Sequence, residues 1–233
     1  MTDIGPRVVS LVPSVTETLL AWGVRPVACT RFCEQPELAH VGGTKNPDRA
    51  AIIALAPDVV VMDEEENRRE DHDALVAAGV AVHVTAVRAL ADVDPTLAGL
   101  ARRVGARWEP VGSVVVEPVR HRAFVPIWRR PWMALGPPTY GHSLLASLGW
   151  ECVPIDRGPY PEVTLDEAAG LAPDAVLAPD EPYAFGPRHV AELSTVSSAV
   201  YLVDGKDLFW WGVRTGAARS RLAAVLGRTE SRG

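Results

Sequence analysis

No apolar run in this chain approaches the roughly 18–20 residues that a membrane-spanning helix needs, so membrane insertion is not expected. No run of Lys or Arg occurs, and a net charge of −6 with a pI near 5.5 argues against nucleic acid as a partner. Cysteine is scarce. Cys29, Cys33 and Cys152 are odd in number, and Cys29-x-x-x-Cys33 lacks the spacing of a zinc pair. Small buried thiols are therefore expected rather than a disulfide or a structural metal. The opening residues, Met1 to Arg7, show no basic n-region, no apolar stretch and no lipid-acceptor Cys. As written, the chain is expected in the cytoplasm; removal of a leader would place it in the periplasm or outside the cell. Catalytic signatures are missing too: no Gly-x-Ser-x-Gly, no phosphate-binding Gly-rich loop ending in Lys-Ser/Thr, no His-Glu-x-x-His.

What is present is a repeated phrase. Leu55-Ala56-Pro57-Asp58 leads into Val59-Val60-Val61-Met62, a short β-branched run that reads as a strand buried on both faces. Asp63-Glu64-Glu65-Glu66-Asn67 follows, an acidic loop at a strand's carboxyl end, where open α/β sheets bind ligands. Leu171-Ala172-Pro173-Asp174 repeats the phrase 116 residues later, before Ala175-Val176-Leu177-Ala178 and the polar loop at Asp180-Glu181-Pro182-Tyr183. Residues 14–21 are echoed by 139–146, and 79–84 by 199–203. A period this long, present twice, predicts two similar lobes rather than a solenoid. With 48% hydrophobic residues in 233, both lobes have material for a core.

The order of elements reads β-α-β-α-β in each half, which predicts an α/β protein with mostly parallel sheets. Expected boundaries are 1–89 for the first lobe, 90–122 for a connector and 123–233 for the second lobe. Ser14 and Glu17 form a capping-box pattern at the first helix, and Thr164 and Glu167 form another. Asn46-Pro47 fits an N-cap followed by proline at the first helical position. Val114-Val115-Val116 is a candidate strand broken by Glu117-Pro118.

Val9-Ser10-Leu11-Val12-Pro13-Ser14-Val15-Thr16-Glu17, then Val41-Gly42-Gly43-Thr44, then Leu55-Ala56-Pro57-Asp58-Val59-Val60 resemble, in order and spacing, the helical-backbone metal receptors. These are class III periplasmic-type substrate-binding proteins for cobalamin, haem and iron-siderophores, and the chain looks most similar to the cobalamin branch. The resemblance implies two α/β lobes joined by a backbone helix and a chelate held in the cleft between them without chemistry. No cofactor is then required; cobalamin, haem or a ferric siderophore would be the ligand, and an ABC transporter the partner if the chain is exported. Leu90 to Val104 gives a helix of about 22 Å, shorter than the family's backbone helix, which leaves the width of the cleft open.

Carried over by position, the resemblance implies a first-lobe wall of Ser14, Val15, Phe32, Thr44, Lys45, Asp63, Glu64, Glu65 and Asn67. The second wall is Tyr140, His142, Arg157, Tyr160, Glu181, Tyr183, Trp210, Trp211 and Arg214. Phe32, Tyr140, Tyr160, Trp210 and Trp211 fall in predicted loops, which suits stacking on a flat ligand; packing beneath the terminal helix is the other reading of the two tryptophans. His142 is a candidate axial metal ligand or a capping side chain. Two other roles stay open: an intracellular enzyme or insertion factor acting on a metal or tetrapyrrole, and a small-molecule sensor.

Overall fold

The computed structural model describes residues 5–110 and 116–230, without the side chains of 228–230. It divides into two compact units, one of residues 5–87, 91–110 and 211–213, the other of 88–90, 116–210 and 214–230. The first unit contains β1 (Val8–Ser10), α1 (Pro13–Ala21), β2 (Ala28–Cys29), β3 (Ala39–His40), β4 (Gly42–Gly43) and β5 (Asn46–Pro47), then α2 (Arg49–Ala54), β6 (Val59–Asp63), α3 (Arg69–Ala77), β7 (Val82–Thr85) and α4 (Val93–Val104). Its main sheet runs β3-β2-β1-β6-β7 with every pairing parallel. All five residues of β6 are buried, as its valine run predicts for a strand covered on both faces. Val9, Leu11, Val60 and Met62 pack with Ile52 of α2 and Leu75 of α3.

Two expected caps are corrected. The helix read as starting at Ser14 starts at Pro13, with Val12 as N-cap and no side-chain cap bond, so Ser14 and Glu17 form no capping box. Proline at the first helical position lacks the N–H that would go unbonded there and already has the helical φ, which displaces the start. Asn46-Pro47 does not open α2 either. Those residues form β5, antiparallel to β4, and Asp48 is the cap, accepting from the Ala51 amide at 3.0 Å. Gly42 makes that hairpin possible: its φ is 90°, and a Cβ there would lie 2.7 Å from the Asn46 carbonyl oxygen.

α4 is amphipathic and buries Val93, Leu97, Leu100, Ala101 and Val104, all at helical spacing. Gly105 ends it in the left-handed conformation. This helix, expected in the connector, is counted with the first unit. The candidate strand at 114–116 lies outside the described residues except for Val116, which is in no strand.

The second unit contains β8 (His121–Phe124), β9 (Pro126–Arg129), β10 (Trp132–Ala134), α5 (Tyr140–Ala146), β11 (Trp150–Val153) and α6 (Leu165–Gly170), then β12 (Ala175–Pro179), α7 (Val190–Leu193), β13 (Val200–Val203), α8 (Gly205–Phe209) and α9 (Thr215–Glu230). Its parallel sheet runs β11-β8-β12-β13, the order of β2-β1-β6-β7 again, and β9 with β10 adds an antiparallel pair. The capping box at Thr164 and Glu167 is present in full. No helix of the described residues is long and apolar enough to cross a membrane.

The repeated phrase folds the same way twice. Ala56 and Ala172 both take positive φ, 45° and 48°. Asp58 accepts from the Arg7 amide at 2.7 Å, and Asp174 from the Arg122 amide at 2.7 Å. The Arg7 guanidinium donates to the Leu55 carbonyl, and that of Arg122 to the Leu171 carbonyl. Each Asp amide donates back to its arginine's carbonyl, at 2.9 and 2.8 Å. Each clamp fixes the start of one central strand beside its neighbour, so the duplication extends to individual hydrogen bonds.

Candidate functional site

In the first unit the loops at the carboxyl ends of the strands are tied together by Asn67. Its Nδ2 donates to the Leu11 carbonyl at 3.2 Å and the Thr44 carbonyl at 2.9 Å, and its Oδ1 accepts from the Asp63 amide at 2.8 Å. One buried amide thus joins the ends of β1 and β6 to the loop between β4 and β5. Asp63 is 5% exposed; its carboxyl meets the Thr85 hydroxyl at 2.8 Å and accepts from the Glu65 amide at 2.9 Å. Burial pushes this carboxyl above the ordinary carboxylate range. The Lys45 ammonium donates to the Glu65 carbonyl, holding the acidic loop from outside. Phe32 is 50% exposed, lies against Gly43 and carries the Arg31 guanidinium 4.9 Å from its ring centre.

The first-unit candidates therefore fall into two groups. Phe32, Lys45, Glu64 and Glu65 present surface, gathered around the Asn67 tie. Asp63, Asn67 and Thr44 are buried and position the loops, while Ser14 is 5% exposed and Val15 has no exposed surface. A short α1 turned toward the sheet explains this: its first turn packs inward.

In the second unit Tyr140 is the first residue of α5 and not a loop residue as expected. It is buried, its hydroxyl 3.1 Å from the Thr215 hydroxyl, and burial pushes its phenol up to about 12. His142 is half-buried on the same helix, where Thr139 is the N-cap. Its Nδ1 is buried without a hydrogen-bond partner, and burial lowers the ring's pKa, so the imidazole is neutral at pH 7. Tyr183 packs with Trp128, Phe185 and His189 at centroid distances of 5.7, 4.7 and 5.6 Å. Phe185 belongs to the core of the unit and half-buried Tyr183 packs against it, while Trp128 is 44% exposed.

Arg157 pairs with Glu167 at 3.2 Å across an exposed surface, and Tyr160 is half-buried nearby in sequence. Glu181 lies against Gly205, whose amide donates to Asp180 at 2.8 Å, which joins the ends of β12 and β13. Trp211 is buried and counted with the first unit. Trp210 differs. It is half-buried, with the Lys206 ammonium 5.1 Å and the Arg214 guanidinium 5.4 Å from its ring. Asp207, 3% exposed, takes Arg214 at 3.4 Å and Arg221 in a fork.

Lys206 and Asp207 were missed from sequence, although Lys206 and Arg214 lie four residues either side of Trp210. Thr85 was missed because the Asp63–Thr85 register across two strands has no local signal. An open cavity of about 590 Å³ in the second unit is lined by Pro131, Trp132 and residues 162–167, and by none of the candidates. Among the described residues no group of three or more His, Cys, Asp or Glu stands as a metal site.

No family model matches the chain. It is 23% identical to the vitamin B12-binding protein of Salmonella choleraesuis (strain SC-B67) over 195 residues, covering 74% of this chain and 71% of that protein. Identity to the vitamin B12-binding protein of Salmonella typhimurium is 24%, with the same coverage. Among solved structures, the periplasmic vitamin B12-binding protein BtuF of Vibrio cholerae matches with a TM-score of 0.78 at 18% identity, over 97% of this chain and 98% of that one. The periplasmic heme-binding protein BhuT, solved with two hemes, matches with 0.78 at 20% identity, over 96% and 98%. An ABC transporter substrate-binding protein of Listeria monocytogenes EGD-e matches with 0.73 at 15% identity, over 94% and 98%. This chain has the fold of the class III periplasmic binding proteins, and its sequence is similar to the vitamin B12-binding proteins among them.

Proposed function

We propose that this chain is a non-catalytic binding protein for a corrinoid of the cobalamin type, or for another metal chelate such as haem or a ferric siderophore. The observation that carries the reading is the likeness to vitamin B12-binding proteins over three quarters of the chain, on a fold shared with B12- and haem-binding structures. The side chains support it. Phe32 offers an aromatic face in the loop after β2 and Trp210 another at the end of α8, and a flat macrocycle needs broad apolar contact with few polar anchors. Lys206 and Arg214 place cationic donors beside Trp210 for carboxylate or amide side arms. His142 keeps a neutral imidazole, the form a metal ligand requires, with its unbonded Nδ1 sealed from solvent. Tyr140 is the poorer metal ligand, because its phenol is held protonated and already bonded to Thr215.

Delivery to an ABC transporter is the proposed partner role, by analogy with the Listeria protein. The insertion-factor alternative asks His142 and the glutamates to converge on one metal, and no such grouping occurs among the described residues. Titration with cobalamin, haem and a ferric siderophore, each followed by absorbance and tryptophan fluorescence, tests the proposal. A saturable change with one of them is expected, and Trp210→Ala should weaken it about tenfold by loss of one stacked ring and its flanking cations. Silence with all three would end the proposal.

A further inference from the structure

Cys29 and Cys33 are free and buried, as expected, and polar groups surround one of them. Cys29 ends β2 with no exposed surface; Cys33 is 3% exposed and packs against it together with Leu38. The turn between them is sharply folded. The Cys33 amide donates to the Thr30 carbonyl at 3.1 Å, the Phe32 amide donates to the Thr30 hydroxyl at 3.3 Å, and Glu34 follows at φ 53°. This fold packs Cys29 and Cys33 side by side in one buried cluster.

The two sulfurs are not equivalent. The Cys33 sulfur lies 3.2 Å from the Thr30 hydroxyl and 3.3 Å from that of Thr16. Thr16 has better acceptors in Ser10 and the Val12 carbonyl, at 2.8 and 3.0 Å, and its one hydrogen is contested. The Thr30 hydroxyl accepts from the Phe32 amide and keeps its one hydrogen for a bond with Cys33, in which either atom can donate. Donors converging on one sulfur favour its thiolate. Accordingly the Cys29 hydrogen bond lowers the pKa of Cys33, while the same contact and burial raise that of Cys29. Cys33 is thus the sulfur that ionises more readily and Cys29 the one that holds its proton, the ordering an attacking and a resolving cysteine need.

We infer that Cys29 and Cys33 are an oxidation site that closes to an intramolecular disulfide when the chain meets a hydroperoxide. The Cys33 thiolate attacks one peroxide oxygen; the S–O bond forms, the O–O bond breaks and the other oxygen leaves as water after protonation. The Cys29 sulfur then attacks Cys33; the S–S bond forms, the S–O bond breaks, and the departing oxygen takes the Cys29 proton and leaves as water. The two thiols are oxidised and one hydrogen peroxide is reduced to two waters. Cys33 is 3% exposed and its chain neighbours Phe32, Glu34 and Pro36 are exposed, so the oxidant we assign is the smallest hydroperoxide, hydrogen peroxide. Cys152 is fully buried in β11, packed in a different unit, and serves as the internal control.

The test treats the whole chain with hydrogen peroxide, then denatures, alkylates and weighs it. The expected product has lost two hydrogens and takes one alkyl group, on Cys152, with the peptides containing Cys29 and Cys33 joined after cleavage at Arg31. Cys152→Ser should still form this bond, and Cys29→Ser should stop at a Cys33 sulfenic acid trapped by a 1,3-diketone. Peptide mapping of the unsubstituted chain decides the matter even if a variant fails to fold. Three alkylated cysteines, oxygen added to Cys33 without a link to Cys29, or disulfide-joined dimers would overturn the inference.

Discussion

At the scale of residues, the polar loop after β6 is mostly scaffold. Asp63 is the instructive case. The Thr85 hydroxyl lies within reach of both the Met62 carbonyl, at 3.1 Å, and the Asp63 carboxyl, at 2.8 Å, but has one hydrogen. If that hydrogen serves Met62, a protonated Asp63 completes the network by donating to Thr85. Burial raises the carboxyl's pKa in the folded state, so folding takes up a proton. The stabilisation from that proton is fully present below the unfolded carboxylate value and is lost as pH rises through the raised folded value. Asp63→Asn mimics the protonated form. Denaturation midpoints measured across pH should show the unsubstituted chain losing stability relative to Asp63→Asn as pH rises through that window; parallel curves would refute this. Asn67→Ala leaves two buried carbonyls and one amide without their partner, and should cost about 2–3 kcal/mol in urea unfolding. The acidic loop was legible as a loop; that Asp63 and Asn67 turn inward was not, because their partners at Leu11, Thr44 and Thr85 are distant in sequence.

At the scale of elements, the repeat was the strongest signal. A strand buried on both faces, preceded by Leu-Ala-Pro-Asp, recurs with the same left-handed Ala and the same arginine clamp. Alanine at positive φ is strained by about 1–2 kcal/mol, and retaining it twice fits a conformation imposed by the clamp. Asp58→Ala and Asp174→Ala should therefore destabilise alike, by about 1 kcal/mol each for a charge-assisted bond at a partly exposed site. Urea midpoints of the two variants test this, and a large effect at one site alone would break the equivalence. Helix starts were read less well. Ser14 and Asn46 carry the right chemistry for caps, but Pro13 and Asp48 stand nearer to where the chain turns. Thr164 was read correctly because both halves of its box, Thr164 and Glu167, are local. Aromatic residues were hardest: Tyr140 and Trp211 look like loop stackers in sequence, and tertiary packing buries both.

At the scale of the whole molecule, two parallel sheets that share a strand order, each ending in polar loops, carry few exposed aromatics among the described residues and a tryptophan, Trp210, flanked by two cations. That inventory suits holding a large, flat, metal-bearing guest, and the curated relatives are named for one. The most direct measurement is equilibrium dialysis of the purified chain against cobalamin, haem and a ferric siderophore together, with the retained compound identified and weighed against protein. Retention of one of these chelates in stoichiometric amount, displaced by excess of the same compound, is the predicted result. Retention of none above a control protein of similar charge would contradict it.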